Sequence, residues 1–284
     1  MPDLVTALSP GRVLLMDGAM GTLLQRPGGL PDAPLEALNL ADPVRIREIH
    51  RSYLDAGAEV LLTHTFQAHP GALERHGLAG KFDAIWQAAI ANARDARPGR
   101  HLVLAAVGPI APLTPDVARS LWQACRDADG LLLETWTSLD DLDLIARART
   151  DGDVPLLVSF AFLRDAAGVC RPFGGATVEE CGQAAQRSGA AVVGVNCGRD
   201  IDIACLGTIA RRLRDACSLP ILVRPNAGPP TRTPDGWLYP FTPEAMAAGL
   251  PTLLRENIAM LGGCCGTTPA HVQAFHAALR DRHP

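Results

Sequence analysis

Eight short apolar runs recur along the chain, each bounded by glycine, proline or polar residues. They are "VLLMDG" from Val13, "AEVLLTHTF" from Ala58, "HLVLAAVG" from His101, "GLLLET" from Gly130, "PLLVSFAF" from Pro155, "AAVVGVNCG" from Ala190, "LPILVRPNAG" from Leu219 and "IAMLGGCCG" from Ile258. Their hydrophobicity is nearly continuous rather than alternating, which predicts strands buried on both faces, as in a parallel sheet covered by helices.

Helical signals fill the intervals. In "DPVRIREIHRSYLDAG", Asp42 is the N-cap, Pro43 takes the first helical position, Ile46, Ile49 and Tyr53 share a face, and Gly57 is the stop. Thr-Pro pairs at Thr114 and Pro115, Thr242 and Pro243, and Thr268 and Pro269 open three further helices in the same way, and others are predicted over 80–97, 138–150, 177–189 and 202–217. Strands alternating with helices imply parallel strands joined by right-handed crossovers, and eight such units are the number that closes a (β/α)8 barrel of TIM type. A doubly wound open sheet is the alternative, but "DGAMGT" follows the first strand in place of G-x-G-x-x-G. No linker or compositional break divides the chain, so residues 1–284 read as one α/β domain.

Composition removes several function classes. A chain of 284 residues, 48% hydrophobic and 20% charged, can bury a large core. Its net charge of -4, with Lys and Arg scattered singly, leaves no basic stripe for nucleic acid and no polybasic membrane anchor. The opening "MPDLVTALSPGR" lacks the layout of a signal peptide and no apolar stretch is long enough to span a membrane, so a cytoplasmic protein acting on small molecules is expected.

The candidate chemistry lies in the cysteines. Of the eight, Cys125, Cys181, Cys205 and Cys217 fall in predicted helices among Ala and Leu, where a free Cys behaves as a small hydrophobe. Cys197, Cys264 and Cys265 instead fall at the C-terminal ends of strands six and eight, where barrels of this kind carry their reactive groups. Barrel closure brings those ends to one mouth, with only strand seven between them. Neighbours on a regular strand point to opposite faces, so Cys264 and Cys265 can share an ion only if the backbone leaves β geometry, a freedom that Gly262, Gly263 and Gly266 supply. Three thiolates select zinc over magnesium or calcium and leave one tetrahedral position open. On spacing alone the pair also reads as two packed thiols or a strained disulfide, and no CxxC spacing decides.

Seven stretches, "LLMDGAMGTLLQ", "APLEALNLADP", "IHRSYLDAGAEVLLTHTF", "LLLET", "GVNCG", "RPNAG" and "GGCCGTTPAHV", span about residues 12 to 275. With them the chain resembles the homocysteine S-methyltransferases. That family includes betaine and S-methylmethionine enzymes and the homocysteine module of cobalamin-dependent methionine synthase. The resemblance implies a zinc-dependent barrel that moves a methyl group onto the sulfur of homocysteine to form methionine, with Cys197, Cys264 and Cys265 as the zinc ligands at the catalytic centre. It implies that Glu134 meets the amino group of homocysteine, a core ion pair with an Arg being the alternative, and that Asp17 and the loop backbone at Gly18 and Gly21 help hold the amino acid. Asn226 is a candidate fourth ligand in the resting state or the former of a tight turn. His64 departs from the pattern, since "THTF" stands where many members have "TNTF", and it is expected behind the ligands rather than on the metal. His50, His69, His76, His271 and His276 are expected at the surface.

For the methyl donor, "GGCCGTTPAHV" and "RPNAG" look closest to the methionine synthase module, and the length suits both a free-standing sulfonium enzyme and a module served by a separate corrinoid protein. S-methylmethionine or another sulfonium is the expected donor. Betaine, or a methylcorrinoid carried by a separate protein, is the alternative, and that corrinoid protein or a second copy of the chain would be the macromolecular partner. A reading of a different class is a non-catalytic zinc or thiol sensor in which Cys264 and Cys265 form a reversible disulfide.

Overall fold

In the computed structural model, which describes residues 4–24, 34–99, 101–233 and 236–281, all eight apolar runs form strands of one parallel sheet. The strands are β1 (Leu14–Leu15), β2 (Val60–Leu62), β3 (Leu102–Val107), β4 (Gly130–Trp136), β5 (Leu156–Phe160), β6 (Val192–Asn196), β7 (Ile221–Arg224) and β8 (Met260–Leu261). Each pairs with its neighbour in sequence from β2 round to β8, β8 pairs with β1, and a parallel bridge between Met16 and Val60 closes the ring. Gln25 and Ala33, at the ends of two of the quoted motifs, lie outside the described residues.

The predicted helices follow the strands: α1 (Pro43–Asp55), α2 (Phe82–Arg94), α3 (Pro115–Ala124), α4 (Leu139–Arg147), α5 (Val178–Arg187), α6 (Ile203–Ala216), α7 (Pro243–Leu254) and α8 (Pro269–Arg280). The sequence caps operate as expected. Asp42, Thr114 and Thr242 accept hydrogen bonds from Arg45, Val117 and Ala245, satisfying N–H groups that the first turn leaves free.

Two cores explain why the strands are apolar on both faces. Leu14, Met16, Leu62, Leu132, Leu157 and Leu222 fill the barrel interior, joined by Leu4 and Ala7 of a short N-terminal helix. Leu131, Leu133, Val193, Val195, Ile221 and Val223 form the outer layer, packed against helix residues such as Leu121, Ile145 and Ile209. Because successive side chains alternate, Glu134 and Arg224, two residues beyond Leu132 and Leu222, face the interior at the C-terminal end, as does Asn196, four beyond Val192. The apolar plug therefore gives way to polar groups at the mouth.

Several features escaped the hydrophobic pattern. Two hairpins, Phe162–Arg164 with Cys170–Pro172 and Thr231–Thr233 with Gly236–Leu238, occupy loops after β5 and β7. They are too short, and too rich in Gly, Pro and charge, to register as strands. The histidines also need correction. His50 and His271 are buried on the inner faces of α1 and α8, and buried His69 caps the helix Pro70–Glu74 by accepting a hydrogen bond from the Ala72 N–H. His271 bonds the Phe241 carbonyl at 2.9 Å and reaches back to Thr268, so its ring replaces a capping carboxylate. His276 is half-buried, and only His76 is exposed as expected. Among the described residues no helix is long and apolar enough to cross a membrane.

Candidate metal centre and active site

Cys197, Cys264 and Cys265 converge at the barrel mouth, with their sulfur atoms all within 4.8 Å of one another. All are free thiols, Cys264 buried and the other two half-buried. Strand alternation would turn Cys197 away from the interior that Asn196 faces. Its backbone instead takes the left-handed conformation, φ 55°, at the end of β6. Cys264 and Cys265 also leave β geometry. The Cys264 N–H bonds the Pro225 carbonyl at 2.8 Å, the Cys265 carbonyl accepts from Ala227 at 2.9 Å, and Gly266 follows at φ 78°. A Cβ on Gly266 would lie 2.1 Å from Cγ of Tyr239, so both the conformation and the space demand glycine.

Two asparagines tie this loop to its neighbours. Asn226 accepts a hydrogen bond from the Cys265 N–H at 3.1 Å and donates to the Cys197 sulfur at 3.6 Å, bridging the two cysteine-bearing loops. Its side-chain oxygen is thereby engaged by the Cys265 backbone. Asn196 donates to the Cys264 sulfur at 3.7 Å and to the Thr135 hydroxyl at 2.8 Å, and accepts from the Thr135 N–H at 3.0 Å. Thr135, another left-handed residue at φ 59°, is thus fixed beside the trio. N–H donors aimed at sulfur favour thiolate over thiol.

The donor set fits a zinc ion. Cys197 and Cys265 sulfurs lie 3.9 Å apart, close to the edge of about 3.8 Å expected when sulfurs sit about 2.3 Å from a tetrahedral zinc. Without a cation the trio shares its charge unequally. Hydrogen bonds from Cys264 and Cys265 push the Cys197 thiol down to about 3, while the bond to Cys197 pushes Cys264 up to about 11 and Cys265 higher still.

Beside the trio lies a buried ion triad. Arg224 donates to Glu134 at 2.7 Å, to Asp17 at 3.3 Å and to the Gly18 carbonyl at 3.4 Å. Asp17 also accepts from the Leu62 N–H at 2.8 Å. Burial pushes both carboxyls up to about 7 against the opposing pull of Arg224. Glu134 therefore does make the core ion pair foreseen as an alternative, while its chain still borders the cavity. Gly18 is tightly enclosed, a Cβ there meeting Thr267 Oγ1 at 2.7 Å, whereas Gly21 faces open space and is not sterically required.

One cavity of about 610 Å³ joins these groups, bordered by the trio, the triad, Gly18, His64 and the aromatic Trp237 and Tyr239 of the loop after β7. Asp17, Gly18, His64 and Glu134 thus border one cavity with the cysteines, while Asn226 holds the cysteine loops together. Arg224 and Asn196 were missed in sequence. The signal for Arg224 was present, a charged residue inside the apolar run "LPILVRPNAG".

Comparison with known proteins accords with this geometry. The family profile of homocysteine S-methyltransferase matches residues 14–279. Methionine synthases of Mycobacterium tuberculosis and Mycobacterium leprae are each 29% identical, over 312 and 313 residues, covering 98% of this chain and 25% of each relative. The chain thus spans about a quarter of their length. The metallated homocysteine methyltransferase MmuM of Escherichia coli superposes with a TM-score of 0.76 at 26% identity, covering 93% of this chain and 96% of that one. Its oxidized form gives 0.75 at 25%. With the profile matched over nearly its whole length, the chain belongs to the homocysteine S-methyltransferase family.

Proposed function

We propose that the chain methylates the sulfur of homocysteine to give methionine, with S-methylmethionine or another sulfonium as donor. The observation that carries this reading is that the three-thiol cluster opens into the same cavity as the buried triad. The two clusters suit the two ends of an amino acid that carries a thiol.

Cys197, Cys264 and Cys265 would hold the zinc ion. When bound, zinc supplies the Lewis acidity that keeps a substrate thiol deprotonated at neutral pH. Asn196 and Asn226 hold the sulfurs in place, and Arg224 occupies Oε1 of Glu134, leaving Oε2 for the substrate ammonium. The homocysteine sulfur forms a bond to the methyl carbon as the donor's carbon–sulfur bond breaks, and the bonding pair leaves with a neutral thioether. Trp237 and Tyr239 border the cavity with aromatic faces that suit a positively charged sulfonium.

A second reading rests on the methionine synthases, of which the chain spans 25%. It makes the chain a homocysteine-activating module served by a methylcorrinoid on another protein. A non-catalytic sensor is not favoured by the family match or by a cavity of this size. The test is methionine formation from homocysteine by the zinc-loaded protein with S-methylmethionine, S-adenosylmethionine, betaine or methylcobalamin. Fastest turnover with a sulfonium is expected. Turnover with methylcobalamin alone favours the module, and failure with all four overturns the substrate assignment.

A further inference from the structure

The cavity is bordered, besides the thiols and the triad, by Glu36 and His64. Glu36 is only 4% exposed, yet among the described residues it has no Lys or Arg partner. Its Oε1 accepts the Gln67 N–H at 2.8 Å. A buried carboxylate without a counter-charge is costly unless a cation arrives to meet it. Arg75, the other fixed charge bordering this part of the cavity, is exposed and donates to the Gly71 carbonyl at 3.0 Å instead.

His64 supplies the second group. It is 5% exposed, one ring nitrogen faces the Leu35 carbonyl, and Nε2 has no hydrogen-bond partner among the described residues. With the ring proton on the nitrogen that faces the Leu35 carbonyl, Nε2 of the neutral ring can only accept. Burial disfavours the charged ring and outweighs the opposite pull of the Glu36 carboxylate and the Leu35 carbonyl. His50, also bordering His64, is held neutral as well, burial and then His64 and His101 pushing it down to about 3, so no imidazolium there balances Glu36.

The two acceptors sit on a braced frame. Asn39 donates to the Glu36 carbonyl at 2.9 Å and to the His64 carbonyl at 2.7 Å, locking the two segments together. Asn92 donates to the Asn39 carbonyl at 3.1 Å and is itself held by Arg47 at 3.0 Å. Such a buried, connected network is what holds a recognition site in fixed geometry.

We propose that Glu36 and His64 form a second recognition site in this cavity, which takes a primary ammonium carried by the methyl donor. The proposal rests on the methyl-transfer reading above and deepens it. Two acceptors side by side suit an R–NH3+ group with several N–H bonds to give. A carboxylate would be repelled by Glu36, and a quaternary ammonium has no N–H to offer. The site therefore selects an amino-acid sulfonium over betaine. His64 is a specificity residue for the donor in this account.

The test separates donor from acceptor in the zinc-loaded protein. Glu36→Gln keeps a carbonyl oxygen for the Gln67 N–H but removes the charge, and His64→Phe keeps a ring without an acceptor. Steady-state kinetics should show KM for S-methylmethionine rising at least about tenfold in E36Q and about fivefold in H64F, since a charged hydrogen bond outweighs a neutral one. KM for homocysteine should stay within about twofold of wild type, because neither residue contacts the triad or the thiols. Calorimetric titration of S-methylmethionine into protein saturated with L-homoserine, which has no nucleophilic sulfur, should show the same loss. Unchanged donor KM and affinity in both variants would overturn the site while leaving methyl transfer intact, as would wild-type protein that binds betaine as tightly as S-methylmethionine. Wild-type protein that binds homocysteine but no sulfonium would overturn the donor reading, and this site with it.

Discussion

The cysteine trio and the Asp17–Arg224–Glu134 triad share one barrel mouth, yet they are assembled by opposite means. The triad follows from strand alternation: Glu134 and Arg224 continue the inward row of Leu132 and Leu222, and regular β geometry suffices to place them. The trio exists only where the backbone departs from that geometry, at Cys197 with φ 55° and before Gly266 with φ 78°. The triad carries its own counter-charge in Arg224 and is almost completely buried. The trio, three potential anions within 4.8 Å, can ionise fully only with a cation from outside. One cluster is therefore a fixed part of the fold, and the other is a socket.

This contrast predicts different consequences for damage at each cluster. Cys264→Ala should lower zinc affinity by more than about 100-fold, the upper range for disturbing groups behind a metal ligand, and remove methyl transfer while the barrel still folds. Metal analysis and circular dichroism check both halves, with Cys125→Ala, buried in the helical layer, retaining metal and activity. Arg224→Met should do the reverse. Zinc stays, but two buried carboxyls lose their cationic partner at a cost of up to about 3–5 kcal/mol, readable in urea unfolding. A variant as stable as wild type would show that Arg224 does not neutralise the triad.

A smaller effect is expected at Asn226→Ala, which unlinks the two cysteine loops and should weaken zinc binding about 10- to 100-fold without unfolding the protein. Competition with a chelator measures it, and unchanged affinity would remove Asn226 from the scaffold.

The smallest effect is a pH dependence. Burial raises the Asp17 carboxyl to about 7 in the folded chain against an ordinary value of 3.8. The folded state thus holds this proton more tightly, so the associated stability is complete below pH 4 and is lost as pH rises to about 7. The difference in unfolding free energy between wild type and Asp17→Asn should fall across that window and level off above it. A difference that rises with pH would contradict the burial argument.

How much of this was legible in sequence divides along the same line. The eight strands and eight helices were readable because apolar continuity and Asp-Pro or Thr-Pro caps act locally. The trio could be placed at one mouth because strands six and eight must neighbour strand seven. Arg224 was overlooked because an apolar run suggested burial and hence no charge, although alternation set it opposite Glu134. The roles of Asn196 and Asn226 depend on contacts across 61 and 39 residues, which no local pattern encodes. His50, His69 and His271 were misplaced for a related reason, since a polar residue at a helix start or on an inner face is satisfied by backbone partners invisible in sequence, or in His50 is left unsatisfied.

The central claim is that Cys197, Cys264 and Cys265 bind one zinc and leave a place for the homocysteine sulfur. Zinc X-ray absorption on the purified protein, before and after adding homocysteine, tests it most directly. One zinc per chain with three sulfur neighbours, rising to four with homocysteine, is the predicted result. Protein that takes up no zinc, or zinc whose sulfur count is unchanged by homocysteine, would contradict it.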